Sequence, residues 1–468
     1  MKWLPEYSFP HEAVLKVNVQ ILAFSVIVAL VIGVLSGLAP ALHFSRPQVA
    51  ELIQSGSRRN TGGAGGKRTQ SVLVAGQIAL TLLLLTSASA AINGFVRLVR
   101  AELGYDPRNV MSVGIPVHQN AHVSWDDRSA YFAQLLSRIA AVPGVVAAGI
   151  STNATPPSNG WETNVELFGR PSGQQEQVRA NFVSSEYFPV LRIPLLQGRL
   201  WDHQEIARGA RLAVINQTMA RHYWPHGDAL GKQLRLPDVK SQPPFTVAVP
   251  DSNNWLQIVG VVADARDDGL RKPIKPGVYV PYTLQMRVWT QVLVRSRTSP
   301  LALLNRVRAQ VKAVDPDQQV FGQTRDLQQW IEGEDEYAYG RLVAALFSAF
   351  SLLALALAAI GLFSVLSYVV AQRTNEFGIR MALGATRAQV IALVFTTTAQ
   401  KVAGGLVCGL LLSLLLKGTL SRFAEGSSYS PQAFGAVILL LVMTSAIAAF
   451  IPARRASSVE PMDALRYE

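Results

Sequence analysis

Residues 342–370 read LVAALFSAFSLLALALAAIGLFSVLSYVV, without a single charged side chain. An α-helix needs about 20 apolar residues to cross the roughly 30 Å hydrocarbon core of a bilayer, so this stretch can span it and project beyond. The rest of the chain agrees, because 49% of its residues are hydrophobic and only 16% are charged. Soluble proteins carry roughly 25% charged residues. The sequence therefore predicts an integral membrane protein.

Four further stretches have the same character. They carry glycine, alanine or serine at intervals, such as Gly33 and Gly37, which suits close contact between helices in lipid. The single cysteine, Cys408, lies in one of them and is expected to be a small buried hydrophobe. Buried helices of a soluble protein are the alternative, but five such lengths recur. The predicted spans are about 19–43, 71–93, 341–370, 391–416 and 432–452.

Basic loops indicate which way the helices cross the membrane. Short loops rich in lysine and arginine stay in the cytoplasm, and the loops 44–70 and 371–390 and the tail after the last span are basic. Placing all three inside puts the N-terminus, the region 94–338 and the loop 417–431 outside. Basic residues just past the second span argue mildly against this, but long domains are translocated despite such charges.

The two ends of the chain resemble each other. The first span runs into Pro40-Ala41 and the last into Pro452-Ala453, each followed by a short basic linker. We therefore expect residues 1–54 to be the last transmembrane helix and tail of a preceding module, and 55–70 to be a basic, glycine-rich cytoplasmic linker.

The linker contains GGAGGKRT, which looks like a phosphate-binding loop. Such a loop needs glycine where Thr61 stands and serine or threonine where Arg68 stands. We expect this chain to bind no cofactor and no ATP of its own.

Between the second and third spans, the pattern changes to alternating strands and helices. A strand at 110–117, a helix at 124–142 and a strand at 145–152 form one predicted β-α-β unit. A second unit follows at 290–325, and the region between the two is rich in short strands, glycine and proline. The predicted fold class is an α-helical transmembrane bundle with a large extracytoplasmic α+β domain, in which two β-α-β units flank a β-rich lobe.

Catalytic and metal-binding patterns are weak in this domain, so we predict no catalytic residue and no metal site. His222 and His226 have the spacing of metal ligands on a helix, but Pro225 disrupts that geometry. The aspartates around 264–268 are interpreted as a solvated loop. The net charge of +12 accompanies no recognition motif, which disfavours nucleic-acid binding.

The segment 372–387 is the most specific motif of the chain. It reads QRTNEFGIRMALGATR and closely resembles the E-x-G-I-R-x-A-L-G-A signature of MacB/FtsX-like ABC transporter permeases. The ending IPARRASSVEPMDALRYE resembles the terminus of the same family, and the leading span makes the arrangement similar to duplicated orphan permeases. The resemblance implies a transmembrane helix and stalk at 71–106, a MacB-like core domain at 107–326 and an FtsX-like permease domain with three transmembrane helices at 327–468.

The motif also makes physical sense as a coupling element. It predicts a short amphipathic cytoplasmic helix whose apolar residues a separate ABC ATPase subunit grips, while Glu376 and Arg380, one turn apart, hold the helix. The alternative is an interfacial helix that rests on lipid headgroups. The residues assigned to coupling are Glu376, Phe377, Gly378, Ile379, Arg380, Met381, Leu383 and Gly384.

The family resemblance implies that long stalk helices pass ATP-driven movement of the cytoplasmic side to the outer domain. Opposite charges at matching heights on the two predicted stalks suggest a pairing across them. Arg97 and Arg100 lie on one stalk, and Glu332 and Glu334 lie on the other.

These patterns leave two functions open. The first is a permease subunit in the bacterial inner membrane that exports an amphiphilic compound, peptide or lipid-linked cargo, with ATP used by the partner ATPase. The second is a non-transporting, FtsX-like signalling permease that regulates an envelope hydrolase. The size of the outer domain favours the exporter. A homodimer, or pairing with another permease module, is expected in either case. An anchored receptor or adhesion protein would have no use for the motif.

Overall fold

The computed structural model describes residues 19–20, 22–28, 30–31, 34, 64–118, 120–151, 161–170, 176–267, 269–270, 272–333, 335–416 and 431–457. These residues divide into two compact units. The outer unit comprises the described part of 97–339, and the membrane unit comprises the described parts of 19–96 and 340–457. The predicted span at 19–43 falls mostly outside the described residues, although those described there are helical.

The membrane unit contains mainly long helices, and the helices of the outer unit are shorter. The helices are α1 (Ala64–Val99), α2 (Trp125–Ala140), α3 (Tyr187–Leu191), α4 (His203–Ala207), α5 (Gln217–Tyr223), α6 (Leu304–Val314), α7 (Leu327–Gly333), α8 (Asp335–Gln372), α9 (Thr374–Ala382), α10 (Arg387–Leu415) and α11 (Pro431–Ser457).

Four of these helices are long and apolar enough to cross a bilayer, and they coincide with four of the predicted spans. Many of their large apolar side chains are exposed, as expected for helices that face lipid. The spanning segments lie within α1, α8, α10 and α11, at Ser71–Val99, Glu336–Gln372, Arg387–Leu415 and Pro431–Ser457.

Glycines bring α10 close to α1 in the membrane unit. A Cβ atom at Gly405 would lie 2.8 Å from the Cβ of Ile78, and one at Gly409 would lie 2.9 Å from Leu82 Cδ2. Because lipid tails are as apolar as leucine, such close backbone approach is a main source of helix association in membranes. The prediction that Cys408 is buried was wrong, since it is exposed on the surface of α10.

The strands of the outer unit form one large sheet and a small pair, the latter made by β8 and β11. The strands are β1 (Val110–Pro116), β2 (Val145–Ser151), β3 (Trp161–Leu167), β4 (Glu176–Val183), β5 (Leu195–Gly198), β6 (Leu212–Asn216), β7 (Gln233–Arg235), β8 (Thr246–Ala248), β9 (Leu256–Val262), β10 (Gly277–Pro281), β11 (Gln285–Arg287), β12 (Trp289–Ser296) and β13 (Phe321–Asp326).

The two predicted β-α-β units are present, and they interlock. β12 lies between β1 and β2 and is antiparallel to both, so that Val292 pairs with Val113 on one side and Ile150 on the other. β13 pairs with the far side of β1, which gives the order β2-β12-β1-β13. This is the split β-α-β arrangement of ferredoxin-like folds. We call β1, α2, β2, β12, α6 and β13 the β-α-β half.

The β-rich lobe closes on itself. β4 pairs with β10, β10 with β6, β6 with β9, β9 with β7, β7 with β3, and β3 returns to β4. We call these strands the strand ring. A single residue pair, Ser151 with Val183, joins β2 of the β-α-β half to β4 of the ring. Closure removes the free edges that would otherwise pair with other chains.

Helix α2 covers one face of the β-α-β half. Ser124 caps its start, because the Ser124 hydroxyl accepts a hydrogen bond from the Asp127 N–H at 3.2 Å. One stripe of the helix, with Phe132, Leu135 and Ile139, is fully buried in the core of the outer unit. The helix therefore packs on the sheet by an apolar stripe, while positions such as Ala133 and Ser137 are exposed.

Candidate coupling site

Helix α9 contains the central residues of the 372–387 motif, and both of its ends are defined by local structure. At its start, the Thr374 hydroxyl donates hydrogen bonds to the carbonyls of Val370 and Ala371. At its end, Gly384 takes a positive φ of +94°, which other residues rarely adopt. Thr386 then begins α10 with a capping box that it forms with Gln389. The motif thus folds as a short helix between two spans.

One side of α9 is anchored in the membrane unit. Phe377 is only 2% exposed, and it belongs to an apolar cluster with Val370, Val390, Val394, Ala453 and Ala456. Gly378 beside it is buried, and Met381 packs against the same cluster. These three predicted coupling residues therefore pack against the membrane helices of the same chain and are not available to a partner.

The opposite side of α9 is open. Ile379 is 49% and Leu383 is 83% exposed. Arg380 and Gly384, the residues that follow them in the sequence, are also exposed. We call these four residues the exposed face. Two large apolar side chains fixed on a rigid surface are a suitable docking site for a partner's groove.

An ion pair stiffens the helix along its side. Arg380 donates to Glu376 at 2.8 Å, one helical turn away, and Arg373 approaches the same carboxylate at 3.8 Å. All three side chains are partly exposed, so the pair contributes about 0.3–0.5 kcal/mol. Its effect is to restrict the orientation of Arg380.

The predicted stalk residues are only partly described. Arg97 near the end of α1 and Arg100 just after it are exposed, and Glu334 lies outside the described residues. Glu332 accepts a hydrogen bond from Gln328 on its own helix at 3.2 Å. Among the described residues, Arg100 and Glu332 form no ion pair, and the pairing of the stalks stays a prediction.

The outer unit instead contains a set of contacts that the sequence did not predict, between the segment 264–270 and the residues at the ends of α1 and α8. We call these contacts the junction. The backbone N–H of Arg266 donates to the Leu103 carbonyl at 2.8 Å, and its side chain donates to the Glu102 carbonyl at 3.2 Å. The Leu270 N–H donates to the Glu336 carboxylate at 2.9 Å. The segment 264–270 therefore contacts residues that continue from α1 and residues that begin α8.

Gly104 permits the close approach at this junction. Its φ is +76°, and a Cβ atom there would collide with the carbonyl oxygen of Asp264. A glycine flanked by a long apolar helix and a strand is the only sequence signal that could have pointed to the contact.

For Asp264 and Asp267 the interpretation as a solvated loop was wrong, and Asp268 lies outside the described residues. Asp264 accepts hydrogen bonds from the Thr218 N–H and hydroxyl at 2.8 and 2.9 Å, at the start of α5. Asp267 is 9% exposed and accepts a hydrogen bond from Asn181 at 3.2 Å. Asp264 thus connects the junction to α5, and Asp267 connects it to β4 of the strand ring, because carboxylates shielded from solvent need such donors.

A buried arginine fixes the chain just after the junction. Arg295 donates to the carbonyls of Asp106, Arg108 and Val190 at 2.6–2.8 Å. Burial lowers the pKa of Arg295, and the hydrogen bond from Arg108, with the nearby charge of Arg295, lowers the pKa of Asp106. The segment 106–108 is thereby held against β12 and α3.

Lys401 is a second residue that the sequence reasoning passed over. It lies at the midpoint of α10 (Arg387–Leu415) and is half-buried. It is the one lysine, arginine, aspartate or glutamate away from the ends of the four described spans. Charged residues at such a depth are costly and usually functional.

No metal site accompanies these features in the part of the chain that the structure describes, where no group of three or more His, Cys, Asp or Glu side chains could hold an ion. His222 lies edge-on to the neighbouring Tyr223 ring, at 4.7 Å between the ring centroids.

Two protein families match the chain, one after the other along the sequence. The MacB-like periplasmic core domain family matches residues 71–314, and the FtsX-like permease C-terminal family matches residues 348–461. The fold and the motif define an integral membrane protein with a helical bundle and a large extracytoplasmic α+β domain. The chain belongs to the MacB/FtsX-like ABC transporter permeases.

Curated relatives include the macrolide export ATP-binding/permease proteins MacB of Escherichia coli (strain K12) and of Shigella sonnei. Each is 25% identical to this chain over 306 residues, which are 62% of this chain and 43% of the relative. The chain thus spans less than half the length of the curated relatives that it matches.

Solved structures of outer domains are also similar. One is the periplasmic region of MacB from Actinobacillus actinomycetemcomitans, with 13% identity over 49% of this chain and 94% of that one, and a TM-score of 0.32. Another is the extracellular domain of the noncanonic ABC-type transporter YknZ from Gram-positive bacteria, with 14% identity over 46% of this chain and 100% of that one, and a TM-score of 0.29.

Proposed function

We propose that this chain is the permease subunit of an ABC-type transporter in the bacterial inner membrane. It couples ATP hydrolysis by a separate ATPase subunit to its outer domain and so exports an amphiphilic compound, a peptide or a lipid-linked cargo. It acts as a homodimer or together with another permease module. The observation that carries the proposal is the exposed face of α9, which is held on a buried anchor.

The anchor is what makes this surface useful for coupling. Phe377 packs with residues of α8, α10 and α11, so a force on Leu383 reaches three membrane helices through one short, rigid helix. A loose loop with the same apolar side chains would bind a partner but would absorb its movement.

The outer unit has contacts suited to receiving that movement. Its 264–270 segment is hydrogen-bonded to Leu103 and to Glu336, the residues next to α1 and in the first turn of α8. Through Asp264 and Asp267 the same segment holds α5 and β4. A displacement of either helix end therefore loads the strand ring directly.

Co-purification tests the proposal. A tagged full-length chain is captured from detergent-solubilised membranes of its native host, and ATPase activity in the eluate is measured. The Leu383→Glu variant should lose at least tenfold of this activity, because a charge replaces the central apolar contact. A matched control is Leu196→Glu, which places the same charge at a residue 45% exposed in the outer unit.

The control should retain the ATPase activity of the unmodified chain. Equal ATPase activity with Leu383→Glu and with the unmodified chain would rule out the exposed face as the docking site. Absence of any ATPase activity in both would count against the permease role itself.

A further inference from the structure

The outer unit contains a cleft of about 630 Å³. One wall is a face of α2, and the opposite wall is formed by Ser184, Glu186, α4 and Tyr282, with Ala148 of β2 at its base. We call this space the α2 cleft. Its volume lies within the roughly 300–1,000 Å³ that is usual for small-molecule sites.

Most of the α2 positions that line the cleft carry small residues. The positions of α2 that line the cleft include Ser129, Ala130, Ala133, Ser137 and Ala140. The core stripe of the same helix carries Phe132, Leu135 and Ile139 instead. Large side chains at the lining positions would fill the space, so this face of the helix leaves room for an occupant.

Large apolar side chains are present on both walls of the cleft. Trp125, Leu136, Ile206 and Tyr282 line the cleft. The indole of Trp125 is fixed in place, because its Nε1 donates to the Thr283 carbonyl at 2.7 Å. A ligand with an apolar body would therefore meet rigid aromatic and aliphatic walls, which lowers the entropic cost of binding.

The charge of the cleft is acidic in an otherwise basic protein. Asp126 and Glu186 line it, and no lysine or arginine does among the described residues, whereas the whole chain has a net charge of +12. His203 is the one basic lining residue and is 80% exposed, with its Nε2 at 3.3 Å from Glu186 Oε1.

Glu186 has capacity for a further donor. Its Oε1 atom accepts from the Ser185 hydroxyl at 3.0 Å, while no described residue donates to Oε2, which is buried. A carboxylate oxygen without a donor in a shielded place is costly, so a turn of the Glu186 side chain that brings Oε2 to the cleft is favoured when a donor is there, and a cationic N–H group would stabilise the carboxylate more than a neutral donor.

We propose that the α2 cleft binds an organic ammonium ion with an apolar body. The ammonium group donates to Glu186 and lies near Asp126, and the body packs between Trp125, Leu136 and Tyr282. A flat aromatic wall beside the carboxylates adds cation–π attraction. The proposal concerns binding to the outer unit and holds whether or not an ATPase docks on α9.

Calorimetric titration of the full-length chain in nanodiscs tests this with three probes of one shape. They are 4-phenylbutylamine, 4-phenylbutan-1-ol and 4-phenylbutyrate, and the heat of titration into empty nanodiscs is subtracted. The amine should bind at least tenfold more tightly than the alcohol, and the carboxylate should show no saturable binding. Equal Kd values for the amine and the alcohol would overturn the proposal.

Two variants locate the binding. Glu186→Gln should raise the Kd of the amine at least tenfold, to that of the alcohol, and leave the Kd of the alcohol unchanged. Ala133→Trp, at an exposed position of α2, should abolish binding of both by filling the cleft. Asp317→Asn, which removes an exposed carboxylate elsewhere in the outer unit, is the matched control and should bind the amine normally.

Circular dichroism and the melting temperature identify variants that have failed to fold, and such variants are replaced by Ser137→Trp for the filling test. Normal amine binding by a folded Ala133→Trp or Glu186→Gln protein would refute the site. If Ala133→Trp instead converted dimers to monomers in mass photometry and kept amine binding, the α2 cleft would be a contact between copies and the proposal would fall.

Discussion

The guanidinium of Arg295 holds together parts of the outer unit that are distant in sequence. It is 4% exposed and donates to three carbonyl oxygens, of Asp106, Arg108 and Val190. The planar fork of arginine can serve three acceptors in fixed directions, and an ammonium group on a flexible stem cannot. In the sequence, Arg295 is one charged residue near the end of a predicted strand, so nothing there reveals that its side chain points inward.

Arg295→Lys should destabilise the outer unit by roughly 2–4 kcal/mol, because at least one buried carbonyl loses its donor. Urea titration followed by tryptophan fluorescence measures the change, since the tryptophans from 125 to 330 lie in this unit. Arg297→Lys, at an exposed position on the same segment, should change the unfolding midpoint little. Equal midpoints for the two variants would mean that the three hydrogen bonds add no stability.

At the scale of elements, local patterns predicted what each segment forms but not its neighbours. The strand at 110–117, the helix at 124–142 and the strand at 145–152 were expected, and the structure has β1, α2 and β2 within about two residues of those bounds. The insertion of β12 between β1 and β2 was not foreseen, because its pairing partners lie more than a hundred residues away in the chain. Such pairing depends on tertiary packing, and the hydrophobic periodicity of a segment contains no information about it.

For helix α9 of the candidate site, too, the sequence predicted the element but not its packing partners. The motif predicted a short amphipathic helix and named its residues, and α9 occupies Thr374–Ala382. The pattern did not reveal which apolar residues face the protein, because Phe377, Ile379 and Leu383 are all suitable for either role. Packing against α10 and α11 decides it by burying Phe377.

Phe377→Ala should lower the stability of the membrane unit by roughly 3–5 kcal/mol, because it leaves a cavity in the cluster below α9. Ile379→Ala, at a half-exposed position on the same helix, should barely change stability and should weaken ATPase capture instead. Melting temperatures in detergent, measured beside the co-purification assay, separate the two effects. A large loss of melting temperature for Ile379→Ala would contradict the assignment of the exposed face.

At the scale of the whole molecule, hydropathy carried most of the prediction. Four long apolar runs became α1, α8, α10 and α11, since span length and composition are set by the bilayer itself. Closure of the strand ring was beyond reach, because it depends on the pairing of β4 with β10. Neither strand carries a local sequence signal that identifies its partner. The register of the pair is set by which side chains are buried after the strands have packed.

The predicted orientation can be measured by cysteine labelling. In a Cys408→Ala background, Phe245→Cys introduces a thiol at a position 56% exposed in the outer unit, and Leu383→Cys introduces one at a position 83% exposed just after α9. In intact spheroplasts, a membrane-impermeant maleimide should label Phe245→Cys fully and Leu383→Cys only after lysis. Labelling of Leu383→Cys before lysis would invert the topology.

The connection between the β-α-β half and the strand ring is relevant to how such proteins diversify. The chain leaves the β-α-β half at the end of β2 and returns at the start of β12, where Ser151 pairs directly with Gln291. The exit and the return are thus neighbours, and everything between them is in effect one enlarged hairpin loop. An insert whose two ends are adjacent can be lengthened or exchanged while the strand order of the base stays the same, provided that the replacement keeps an acceptor for Arg295 where the Val190 carbonyl of α3 now lies.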